Sequence, residues 1–70
     1  MIYVKTDYDS CKYITPGHVY LCCDHPILLG MKYIIDDDGA NMLVSTRDGL
    51  RSFVMDGDRL DWVECNEDGI

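Results

Sequence analysis

Two groups of residues in this 70-residue chain are of types that do chemistry. The first is Asp36-Asp37-Asp38-Gly39, three carboxylates run up against a glycine, a composition that suits calcium. A calcium loop of the EF-hand kind needs ligands at alternate positions and a bidentate Glu at the twelfth. Counted from Asp36, the twelfth residue is Arg47. That pattern fails, and a hairpin turn with solvated carboxylates is the better reading. The second group is His18, Cys22, Cys23 and His25. Structural zinc sites use closely spaced ligand pairs repeated later in the chain, and here Cys11 and Cys65 stand alone. Adjacent Cys22 and Cys23 project to opposite faces of a strand, so they do not serve one site. A Cys–His nucleophile lacks a residue to orient its base and a glycine-rich loop for an oxyanion. These residues predict no metal, no cofactor and no catalysis.

The elements that must position them begin with Met31–Ser45, which reads as a β-hairpin. Met31, Tyr33 and Ile35 share one face of its first arm, with Lys32, Ile34 and Asp36 on the other. Met42 and Val44 alternate with Asn41, Leu43 and Ser45 on the second. Asp38-Gly39 is a strong hairpin signal, because glycine takes the positive φ that a tight turn demands. Ahead of the hairpin, Ile2–Thr6 is a short strand and residues 7–12 a polar loop. Pro16-Gly17 turns the chain into a strand over His18–Cys23, which Pro26 ends. In that strand Val19, Leu21 and Cys23 make an apolar face, and His18, Tyr20 and Cys22 are read as the outer one. Ile27-Leu28-Leu29-Gly30 is an apolar connector. After the hairpin, Leu50–Phe53 is read as a single 3₁₀ turn, Val54-Met55 as a brief strand and Asp56-Gly57-Asp58 as a second acidic turn. Leu60–Cys65 is the last strand, with Leu60 and Trp62 on one face.

Short strands in this number cannot bury themselves as one flat sheet. The expected fold is all-β: a small SH3-like barrel of five or six short antiparallel strands with one 3₁₀ turn. It occupies residues 1–65 as a single domain, followed by a frayed tail over 66–70. A chain of this length buries only about 60% of its unfolded surface, so its core is modest.

Charge is the most informative bulk quantity. Thirteen acidic residues against six basic ones leave a net −7. Such a surface repels phosphate backbones, which argues against direct nucleic-acid binding and favours a partner with a basic surface. No apolar run approaches the roughly 18 residues of a membrane span, and the N-terminus lacks a signal pattern, so no membrane association is expected. Without that pattern, the four cysteines read as reduced thiols.

Three stretches carry a resemblance: Ile14-Thr-Pro-Gly-His-Val-Tyr20, Tyr33-Ile-Ile-Asp-Asp-Asp-Gly39 and Arg51-Ser-Phe53. In this order the chain resembles a group of small bacteriophage and prophage proteins that look like SH3-like β-barrels. It departs from them in having Asn41-Met42-Leu43 where an aromatic is usual after the central turn, and in adding Asp56 to Glu64. The resemblance implies a viral accessory protein in a host bacterial cytoplasm, where small acidic proteins bind and block host machinery.

The resulting expectation is a non-catalytic phage protein that binds and inhibits or modulates a host protein, such as a defence or nucleic-acid-processing complex. The candidate contact residues are Asp36, Asp37, Asp38, Asp56, Asp58 and Asp61, with Trp62, Tyr20 and His18 as aromatic anchors. If both acidic turns project from one end of the barrel, they form a single negative patch. Two alternatives stay open: a binder that sequesters a nucleotide or other small molecule, and a structural or assembly part of a virion. The barrel edges and the Ile27–Leu29 connector also leave homo-oligomers open.

Overall fold

The computed structural model describes residues 1–54 and 57–70. Strands β1 (Ile2–Lys5), β2 (Tyr20–Asp24), β3 (Met31–Ile35), β4 (Asn41–Ser45), β5 (Leu50–Phe53) and β6 (Arg59–Cys65) follow in chain order, with no helix among the described residues. Each pairs antiparallel with the next, and β6 pairs back with β1 to close a small all-β barrel. Two strands bend to serve both of their neighbours. The first half of β2 opposes β1, Tyr20 facing Val4, while Cys23 and Asp24 oppose Tyr33 and Lys32 of β3. Likewise Val63 to Cys65 oppose β1, and Arg59 to Trp62 oppose β5.

The central hairpin forms as its pattern requires, in a register running from Met31 opposite Ser45 to Ile35 opposite Asn41. Gly39 takes φ +84° at its turn. The β4–β5 turn uses the same device twice over, with Asp48 at +59° and Gly49 at +120°. Aspartate tolerates this left-handed conformation better than most side chains.

Alternation fills the barrel. Val4, Tyr20, Cys22, Ile34, Val44, Ser52, Leu60 and Trp62 point inward and are buried, and Ile14 from the β1–β2 loop is buried with them. Each fully buried aliphatic side chain contributes about 1.5–3 kcal/mol relative to exposure.

Four sequence expectations need correction. Leu50–Phe53 is strand β5 and not a 3₁₀ turn, held by four rungs to β6 from Leu50 opposite Trp62 to Phe53 opposite Arg59. Leu50 and Phe53 therefore do not share a side; the inward residue beside Leu50 is Ser52, and Phe53 is outside. The faces of β2 are reversed. Tyr20 and Cys22 are core, Leu21 is 42% exposed, and the strand starts at Tyr20, leaving His18 in the preceding loop. Val54 lies outside any strand, whereas the brief strand expected for Val54-Met55 otherwise lies outside the described residues. Finally, residues 66–70 are tied down. Asn66 N–H donates to the Ile70 carbonyl at 3.1 Å, and its Oδ1 accepts from the N–H groups of Asp68 and Ile70, both at 3.0 Å. The Lys5 ammonium also donates to the Gly69 carbonyl.

Because successive strands reverse, the loops sort by end. Residues 6–19, 36–40 and 57–58 lie at one end of the barrel, opposite residues 25–30, 46–49, the N-terminus and the end of β6.

Candidate functional site: the acidic end of the barrel

The two acidic turns thus share an end, as a single negative patch requires. Their carboxylates are not equivalent. Asp36 builds the turn: its Oδ1 accepts from the N–H groups of Asp38 at 3.0 Å and Ala40 at 2.9 Å, while its own N–H donates to the Ala40 carbonyl at 2.9 Å. This local bonding is what aspartate offers a turn. Asp38 is exposed beside it.

Asp37 reaches across to the β1–β2 loop. Its Oδ1 accepts from the Tyr20 hydroxyl and its Oδ2 from the Thr15 hydroxyl, each at 2.7 Å, and its N–H donates to the Tyr13 carbonyl at 2.9 Å. The Tyr20 oxygen is used a second time, accepting from the Thr15 N–H at 2.8 Å. Hydrogen bonds to a carboxylate favour its ionised form. The Tyr20 hydroxyl first, then that of Thr15, hold Asp37 below the usual carboxylate range. Burial first of all, with the bond to Asp37 adding to it, pushes the Tyr20 hydroxyl above the usual tyrosine range. The pair is thereby fixed as a charged acceptor and a neutral donor.

Behind Tyr20 the contacts continue through the core. Its ring meets His18 edge-on at 4.8 Å on the solvent side and Trp62 edge-on at 5.6 Å on the inner side. The Trp62 indole N–H donates to the Ser52 hydroxyl at 2.9 Å, and that hydroxyl donates to the Leu43 carbonyl at 2.6 Å. The negative tip is therefore joined to β4 and β5 by aromatic packing and hydrogen bonds.

The other candidate contacts divide. Asp58 is at the same end and accepts from the Tyr8 hydroxyl at 3.1 Å. Asp61 sits on the barrel wall between Arg51 Nε at 3.3 Å and Arg59 Nε at 3.4 Å, so its charge is offset locally and is not part of the tip. Asp56 lies outside the described residues. Tyr20 and Trp62 are 5% exposed and cannot serve as surface anchors; they position Asp37 and Ser52 instead. His18 is exposed and keeps its place at the rim.

No family model, curated protein or solved structure matches this chain. Its chemistry is read from the geometry alone. Cys22 is fully buried, and burial first of all pushes its thiol above the ordinary value, the wrong direction for a nucleophile. His25 is occupied locally. Its Nδ1 accepts from the N–H groups of Ile27 at 3.2 Å and Leu28 at 3.0 Å, capping the β2–β3 turn. No group of three potential metal-ligating side chains occurs among the described residues. What the acidic end offers is a preorganised, negatively charged surface.

Sequence reading missed Thr15, Tyr13 and Ser52, each of which matters through a partner distant in the chain. Only Ser52 left a trace, a small polar residue between Leu50 and Leu60 at inward-facing positions. Phe53, 70% exposed, was concealed by the mistaken turn.

Proposed function

We propose that this chain is a non-catalytic protein-binding module that docks its acidic end on a basic surface of its partner. The observation that carries the reading is the placing of Asp36, Asp37, Asp38 and Asp58 at the same end, with Asp37 locked in place by Tyr20 and Thr15. A rigid cluster of like charge raises the encounter rate with an oppositely charged surface and fixes orientation. The resemblance of Ile14–Tyr20 and Tyr33–Gly39 to small phage proteins supports a viral accessory role. On that reading the partner is a host bacterial protein in the cytoplasm, inhibited or modulated by the masking of a basic functional surface.

The test is capture from bacterial lysate on tagged protein, followed by affinity measurement on the captured protein. Asp36, Asp37 and Asp38 are replaced together by asparagine, which keeps at position 36 the single acceptor oxygen that closes the turn. Affinity should fall roughly tenfold or more at low salt. Binding of the wild type should weaken as the Debye length shrinks from about 30 Å at 0.01 M to about 8 Å at 0.15 M salt. A triple variant that binds as tightly as the wild type at every salt concentration removes the acidic end from the interface.

A further inference from the structure

We propose that the seam between β4 and β5 is a docking groove for an extended segment of the partner protein, one carrying a bulky apolar side chain next to a lysine or arginine. The inference rests on the reading of the chain as a protein-binding module and says where the second, apolar part of that contact lies.

The β4–β5 ladder is the weakest in the barrel, with a single rung, Ser45 opposite Arg51. Extending that register by two places sets Leu43 opposite Phe53, but no further rung forms there. The Leu43 carbonyl instead accepts from the Ser52 side chain. Two open hollows meet over this gap. One, of about 420 Å³, is bounded by Cys11 to Tyr13, Met42 and Phe53; the other, of about 560 Å³, by Asp36, Met42, Leu43 and Phe53. Met42 and Phe53 belong to both, so the hollows form one trough from the β1–β2 loop to the outer face of the hairpin.

Large apolar side chains of the lining are open to solvent. Phe53 is 70% exposed and Leu43 45%. Aromatic side chains on an open face are strong contributors to binding energy. Charge sets the occupant. Asp36 lines the trough, with Asp37 and Asp38 next to it, whereas the two cations along it are already engaged. Arg51 pairs with Asp61 at 3.3 Å, and Lys12 Nζ lies 5.0 Å over the Tyr13 ring. An apolar side chain seated between Leu43 and Phe53 thus places a neighbouring cation within reach of the acidic turn.

The test uses a random peptide display library selected on immobilised full-length protein, with binding mapped on isotope-labelled protein by amide shifts. Enriched peptides should pair a large apolar residue with a nearby lysine or arginine and move the amides of Met42, Leu43, Phe53 and Cys11 to Tyr13. Phe53→Ser and Leu43→Ser, both at outward positions, should each weaken them about tenfold, the size of a moderate hot spot. Leu29→Ser, at the opposite end and 96% exposed in the wild type, should leave them unchanged. Absence of enrichment, shifts confined to residues 25–30, or full binding to a folded Phe53→Ser variant overturns the groove. A lysate partner lost on neutralising Asp36 to Asp38 but retained by Phe53→Ser also overturns it, and leaves the acidic-end reading intact. A partner lost with Phe53→Ser but indifferent to the neutral turn does the reverse.

Discussion

Replacing Ser52 by alanine removes one oxygen atom from the barrel and should be among the most damaging substitutions of its size. The side chain is 1% exposed, and its hydroxyl both accepts from Trp62 Nε1 at 2.9 Å and donates to the Leu43 carbonyl at 2.6 Å. Alanine leaves a buried indole N–H without its partner, which costs about 1–3 kcal/mol. It also strips the carbonyl of the bond that stands in for a ladder rung, worth roughly 1 kcal/mol. The cavity left by a hydroxyl is small, so the total is about 3 kcal/mol. At about 0.05–0.15 kcal/mol per residue, a domain of this length holds only roughly 4–10 kcal/mol of stability. The melting temperature should then fall by roughly 12–24 °C, at about 4–8 °C per kcal/mol. Urea and thermal unfolding, followed by circular dichroism, measure the loss. Repeating the substitution in a Trp62→Phe background isolates the indole bond, because no N–H remains to be orphaned. A Ser52→Ala variant within about 0.5 kcal/mol of wild type, the range of an ordinary surface change, or a cost undiminished in the Trp62→Phe background, refutes the reasoning.

The Tyr20–Asp37 pair gives stability a defined pH window. Asp37 is held below its ordinary range, so its contribution is complete above the unfolded carboxyl pKa of about 3.9 and disappears as pH falls through the lower folded value. Tyr20 is raised, so its contribution is complete below about pH 10 and disappears as pH rises through the higher folded value. Urea midpoints across pH should therefore show a shallower acid limb in Asp37→Asn and shallower acid and alkaline limbs in Tyr20→Phe; limbs of wild-type slope would contradict the pairing. Cys22 should resist a thiol reagent in the native protein and react only on unfolding, while the half-buried Cys11, Cys23 and Cys65 react earlier, as a timed titration of free thiols would reveal. Gly39→Ala should cost about 1–2 kcal/mol by chemical denaturation, because φ is +84° there although a Cβ would meet only open space.

Legibility in the sequence followed the range of the interactions. The hairpin was readable because its pairing, its alternation and Asp38-Gly39 all fall within fifteen consecutive residues, from Met31 to Ser45. The barrel class followed from the number of short strands and the lack of an amphipathic helix. β5 was not readable, since its inward position is a serine and its strand character comes from rungs to β6. The orientation of β2 failed for a related reason. A tyrosine hydroxyl argues for the surface until its partner is known, and that partner is Asp37, seventeen residues on. The acidic end was half legible. Its residues could be named, but the division of labour among Asp36, Asp37 and Asp61 depends on neighbours that only the closed barrel supplies.

An even number of alternating strands returns the chain to the side from which it set out, and β6 lies directly against β1. Whatever is attached at Met1, whether an affinity handle, a fluorescent reporter or a tether to a solid support, therefore extends away from Asp38 and Phe53, whereas the tail beyond β6 doubles back until Gly69 lies against Val19. The molecule can be immobilised by its N-terminus without its working pole being turned toward the support.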